Sequence, residues 1–133
     1  MAMIRFHQEG KYMKLVVFNV GSALCVYAEH QTTRIVFDIG KGNNFSPVND
    51  FLLPLYEKRG EHRLKNRNNR YGISQLIVSH PHKDHISDIQ EFDKNFYAHL
   101  LTTPNSKSPN GNPQNINWRK ITTPDDPDVK YLK

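Results

Sequence analysis

Three histidines and an aspartate stand within six residues at His80-Pro81-His82-Lys83-Asp84-His85, in a chain of 133 residues that holds only seven histidines. At the chain's own frequencies, a His-x-His-x-Asp-His pattern arises by chance about once in a thousand such sequences. Imidazole and carboxylate are the donors zinc favours, and they also serve manganese or iron. The spacing sorts the donors. On an extended segment His80 and His82 project to one side and can grip one ion. Asp84 and His85, where the chain turns into a helix, are presented to a neighbouring point. Two ligand pairs suit two adjacent metals, an arrangement that clamps attacking and leaving oxygens. Pro81 stiffens the loop and so reduces the entropy lost on binding. The competing reading is a surface loop that happens to be rich in histidine.

The elements around the motif must hold it in place. Met13–Asn19, Leu24–Glu29 and Arg34–Asp38 read as strands from their β-branched and aromatic content, with a turn at Val20-Gly21-Ser22 and a polar hairpin loop at residues 30–33. Gly40 and Gly42 permit a tight turn or a close backbone approach. Ser46 as N-cap and Pro47 at the first helical position open a helix. Its apolar stripe is Val48, Phe51, Leu52, Leu55 and Tyr56. Pro54 is expected to kink it and Gly60 to end it. Residues 61–71 read as a loop, Gln75–Ser79 as a short buried strand, Ile86–Phe96 as a helix and Ala98–Thr102 as a strand. From Thr103 the chain is rich in Pro and Asn, as a loop or lid, and leads into a further strand near Asp128–Lys133. The order is that of a layered α/β domain.

The length allows one domain. One cysteine, Cys25, excludes an internal disulfide, and it reads as a small buried hydrophobe. No run reaches the apolar length of a membrane span. Leu15–Ala28, flanked by Arg5, Lys11 and Lys14, is interrupted by Asn19 and Ser22 and lacks a small-residue cleavage site, so it reads as strands and not as a signal peptide. A cytoplasmic location is expected. The net charge of +5 favours anionic partners. Lys58, Arg59, Arg63, Lys65, Arg67 and Arg70 precede the motif strand, either as a phosphate-attracting patch or, as favoured here, a solvated loop.

The segment around the motif resembles the signature of the metallo-β-lactamase fold superfamily. Ile35-Val36-Phe37-Asp38-Ile39-Gly40 is similar to that family's upstream Asp-x-Gly. Gln75-Leu76-Ile77-Val78-Ser79 before the motif, and Phe18-Asn19-Val20-Gly21, a strand ending in glycine, match as well. The resemblance spans about Met13 to Thr102, two-thirds of the chain. It is most similar to the branch holding the metal-binding domain of DNA-uptake competence proteins. That branch carries Gly-x-Gly-Asp after the first strand, where this chain has Gly21-Ser22-Ala23-Leu24.

The resemblance implies the N-terminal half of an αββα sandwich, a mixed sheet with flanking helices. It implies a zinc-dependent hydrolase with a binuclear site in the complete domain. His80 and His82 would bind the first metal, and Asp84 and His85 the second. Asp84 would also be the catalytic residue that helps orient or deprotonate the bridging water, whose hydroxide form is the nucleophile. Asp38 would hold the ligands in orientation from behind, or else cap the turn at Gly40 and Lys41. The substrate class expected is a phosphodiester or related ester, whether a small molecule or nucleic acid. The family also uses a third histidine, a bridging aspartate and a last histidine. Beyond His85 the chain has only His99, read as structural, while Asp88 and Asp93 read as solvent-facing. Residues 1–133 are therefore expected to form an incomplete, truncated domain that is inactive alone. The alternative is a non-catalytic remnant, or a half-domain completed by self-association or by another chain.

Overall fold

The computed structural model describes residues 2–8, 11–79 and 83–103. The chain is α/β. A six-stranded mixed sheet runs in sequence order, from β1 (Ala2–Gln8), β2 (Lys11–Val17), β3 (Cys25–His30) and β4 (Thr33–Ile39) to β5 (Tyr71–Ile77) and β6 (Phe96–Thr102). Pairing is antiparallel from β1 to β4 and parallel from β4 through β5 to β6. A parallel step needs a crossover, and both are helical. Between β4 and β5 a π-helical turn, Val48–Leu52, runs into helix α1 (Leu53–Lys58). Between β5 and β6 lie α2 (Lys83–Ile86) and α3 (Ile89–Asn95).

The first crossover follows its local signals. Ser46 Oγ accepts from Asn49 N at 3.1 Å, and Asp50 Oδ2 accepts from Ser46 N at 2.7 Å. Pro54 has no N–H, and its ring crowds the carbonyl four residues back. The expected kink takes the form of the π-helical turn, in which Leu53 N bonds to Val48 O five residues earlier. Gly60, at φ +66°, closes the C-terminus. Gly60 N donates to Glu57 O and Glu61 N to Tyr56 O, a Schellman motif.

Three sequence expectations change. β1 was not anticipated, and it extends the sheet beyond β2. β5 begins at Tyr71, four residues before the expected strand. The expected helix from Ile86 is broken at Ser87-Asp88 into α2 and α3. Ile86, Ile89 and Phe92 nevertheless all face the core, as their spacing implied. The Asp128–Lys133 strand and most of the Pro/Asn-rich segment lie outside the described residues.

Helices cover one face of the sheet. The register row Val16, Tyr27, Val36, Leu76 and Leu101 lies on that side. Val48, Leu52, Tyr56, Ile86, Ile89 and Phe92 join it in a single core. Aromatic packing closes one end, with Tyr56, Tyr71 and Phe96 at ring separations of 5.0–5.8 Å. The opposite face has the rows Val17, Val26, Phe37, Ile77 and Leu15, Ala28, Ile35, Gln75, Leu100. Of these only Ala28 is buried; Phe37 is 38% and Leu100 55% exposed. One face is thus sealed, and the other is apolar and not covered by any described element. No helix among the described residues is long and apolar enough to cross a membrane.

Candidate metal centre

Topology gathers the chemistry at one end of the sheet. β2, β4 and β5 end there, and β3 begins there. The turn after β2, the glycine loop after β4 and the segment leading to Asp84 are therefore neighbours. Gly40 N donates to Leu24 O at 2.9 Å, and Leu24 N donates to Asp84 O at 3.2 Å. Lys41 N donates to Ser87 Oγ at 2.8 Å, and Asp88 N to Ile39 O at 2.8 Å. The close approach that the glycines allowed is an approach to Asp84 itself. A Cβ on Gly40 would stand 2.1 Å from the Asp84 carbonyl oxygen.

Asp38 sits at the centre of this end. It is 2% exposed and adopts φ +56°, a left-handed conformation that Asp tolerates better than most residues. Its Oδ1 accepts from Ser79 N at 2.7 Å and its Oδ2 from Ser79 Oγ at 2.7 Å. His85 Nδ1 lies 2.9 Å from Oδ2. The two sites of the expected turn cap are taken elsewhere, Gly40 N by Leu24 O and Lys41 N by Ser87 Oγ. Asp38 therefore does not cap that turn. Its carboxylate joins the end of β4 to the motif, 47 positions away. Ser79 is the residue that sequence reasoning missed. It stands directly before the histidine motif and uses both its backbone and its hydroxyl on Asp38.

A carboxylate can only accept, so Nδ1–H is the donor to Asp38 and Nε2 is the ring nitrogen left for another partner. Nε2 lies 3.5 Å from Asp84 Oδ2. Two ligands on one tetrahedral zinc are about 3.4 Å apart at bond lengths near 2.1 Å, so this pair fits a shared ion. The Asp84 side chain is 46% exposed and the His85 side chain 13%, which leaves the pair at the surface where an ion can enter. His80 and His82 lie outside the described residues. Among the described residues no group of three or more His, Cys, Asp or Glu side chains is placed to hold a metal.

No family model matches the chain, and no curated protein or solved structure matches it.

Asp88 corrects an expectation. It is 1% exposed, not solvent-facing. Its Oδ2 accepts from Ser46 Oγ at 2.8 Å and from Val48 N at 3.0 Å, while Oδ1 is buried with no hydrogen-bond partner among the described residues. The carboxylate thus ties the start of the first crossover helix to the break between α2 and α3. Burial pushes its pKa up, outweighing the hydrogen bonds from Val48 and Ser46 and the charge of Lys41. A raised carboxylate pKa means the folded protein keeps its proton where the unfolded chain has lost it. Stability should then fall as pH rises from about 4 through the raised value. Urea midpoints measured across pH 4–7 are expected to decline more steeply for the native chain than for Asp88→Asn. Parallel curves would contradict the assignment.

Cys25 is fully buried, and burial, with Asp88 and Asp38 adding to it, drives its thiol pKa well up, so it is an inert hydrophobe as expected. Asp93 is 49% exposed beside Arg70. His99 is exposed on β6, the last described strand of the sheet, against Gly72 near the start of β5. The basic loop lies at the other end of the sheet, because it leads into the start of β5. Arg59 pairs with Glu29, Arg63 stacks on Tyr71, and Arg67 and Arg70 stack on Tyr97. These cations serve internal contacts away from the motif.

Proposed function

We propose that this chain provides the metal-binding half of a metal-dependent hydrolase of the metallo-β-lactamase type, acting on a phosphodiester or related ester. The observation that carries the proposal is the buried Asp38 carboxylate bonded to His85 Nδ1. A carboxylate behind a histidine fixes its tautomer and aims its other nitrogen, the arrangement that metal-ligating histidines use. His80 and His82 would hold one ion, and Asp84 with His85 the second. A divalent ion there would supply Lewis acidity toward a phosphoryl oxygen. Asp84, exposed at the rim, would orient the attacking water or take its proton. Asp38 and Ser79 would keep His85 in place throughout.

Four donors fill about half of two tetrahedral shells. The apolar face that no described element covers favours a second reading of how the rest is supplied. A facing sheet, from a second copy or another chain, would bury Phe37 and Leu100 and bring further ligands, giving a half-domain that works only when paired.

Hydrolysis of bis-p-nitrophenyl phosphate with added zinc or manganese tests the reading. The 133-residue chain alone is expected to show no turnover above its Asp84→Ala variant. Turnover that grows with the square of protein concentration and vanishes in Asp84→Ala would support completion by a second copy. Zinc-dependent turnover that survives Asp84→Ala would contradict the assignment of the motif.

A further inference from the structure

At the same end of the sheet lies a cavity of about 350 Å³ between the turn after β2 and the loop after β4. We propose that it is an oxyanion subsite that takes a phosphate group, with Lys41 as its counter-charge. Its polar lining consists of Asn19, Ser22, Lys41, Asn43 and Asn44, and no carboxylate lines it. Within the described residues, no hydrogen bond engages the backbone N–H of Gly21, Ser22, Asn43 or Asn44. Two adjacent loops thus offer amide donors, hydroxyl and amide side chains and one cation, the donor set an oxyanion calls for.

The cavity is held open by its own packing. Gly42 N donates to Phe45 O at 2.9 Å and closes the second loop on itself. A Cβ on Gly42 would meet Val20 Cα at 3.3 Å, so the loops touch at the floor. Phe45 is anchored on Phe18 at a ring separation of 5.7 Å. Gly21, at φ +69° with nothing within 4 Å of a Cβ built there, forms an open lip. The same loops reach the motif segment through Leu24 N to Asp84 O and Lys41 N to Ser87 Oγ. A phosphate held here would lie on the same loops that contact the motif segment, where a neighbouring phosphodiester of one substrate could react. That last step rests on the hydrolase reading; phosphate binding does not.

The test is an amide-shift titration of the metal-free protein with inorganic phosphate. Saturable shifts are expected at Gly21, Ser22, Asn43 and Asn44. Lys41→Gln, a change at an exposed side chain, should weaken binding about tenfold, the loss of one charge-assisted hydrogen bond. Lys65→Gln, at the far end of the sheet, should leave it unchanged. Shifts that do not saturate, that fall on residues 61–70, or that ignore Lys41→Gln would overturn the subsite even if zinc bound at the motif. Phosphate binding with no zinc binding would leave the subsite standing and remove the hydrolase reading alone.

Discussion

Gly40→Ala is expected to cost about 3 kcal/mol of stability, at the upper end of what overpacking a tight site usually costs. The added carbon would lie 2.1 Å from Asp84 O, 2.9 Å from Leu24 O and 2.8 Å from Ala23 Cβ. Two of the three obstacles are backbone, so no rotamer change relieves them. The strand end cannot retreat either, because Gly40 N is already bonded to Leu24 O. The relief available is to push Asp84 away, which moves the motif. Zinc binding should therefore be lost together with stability. Gly60→Ala is the comparison. Its φ is +66° but a Cβ there meets nothing within 4 Å, so only the left-handed conformation is penalised, by about 1–2 kcal/mol. Urea unfolding of both variants measures the difference. A Gly40→Ala cost no greater than that of Gly60→Ala would show that Asp84 does not press on this glycine.

Asp38→Asn should separate metal affinity from folding. Asparagine tolerates the positive φ, and its carbonyl can still accept from Ser79 N. Its amide, however, replaces the oxygen that faces His85 Nδ1. The imidazole must then carry its proton on Nε2, the atom a metal needs bare. Zinc affinity is expected to fall about 10–100-fold, the usual effect of removing a partner behind a ligating histidine. The thermal midpoint should move much less than in Asp38→Ala, which removes both carboxylate oxygens that Ser79 and His85 use. A competition titration against a chromogenic chelator reads the affinity. An unchanged affinity in Asp38→Asn would mean that the carboxylate does not act on a metal ligand.

How much of this was legible in the sequence depended on range. β2, β3 and β4 announce themselves through local β-branched runs, and the first crossover helix through Ser46, Pro47 and Gly60, each a signal spanning a few residues. β1 has no such signal, because Ala2–Gln8 mixes Ile4 and Phe6 with Arg5, His7 and Gln8 and is fixed by its pairing with β2. The start of β5 was obscured by Gly72 and Ser74 between its apolar residues. The break at Asp88 is invisible locally, since Ile86, Ile89 and Phe92 keep helical spacing across it. Its cause is a carboxylate bonded to Ser46 and Val48, some 40 residues upstream. The site divides in the same way. The donor motif is contiguous and stands out at once. The link from Asp38 to His85 spans 47 positions and was expected only through the family resemblance. Ser79 and the Gly40–Asp84 contact depend on two strand ends lying side by side, which only the parallel pairing of β4 and β5 makes visible.

Metal binding by His80, His82, Asp84 and His85 is open to a zinc titration of the 133-residue chain beside His82→Ala. Weak binding that dialysis against a chelator removes is expected, because half of each shell would be water, with most of it lost in His82→Ala. Equal zinc binding by the two proteins would show that the motif is not the metal site.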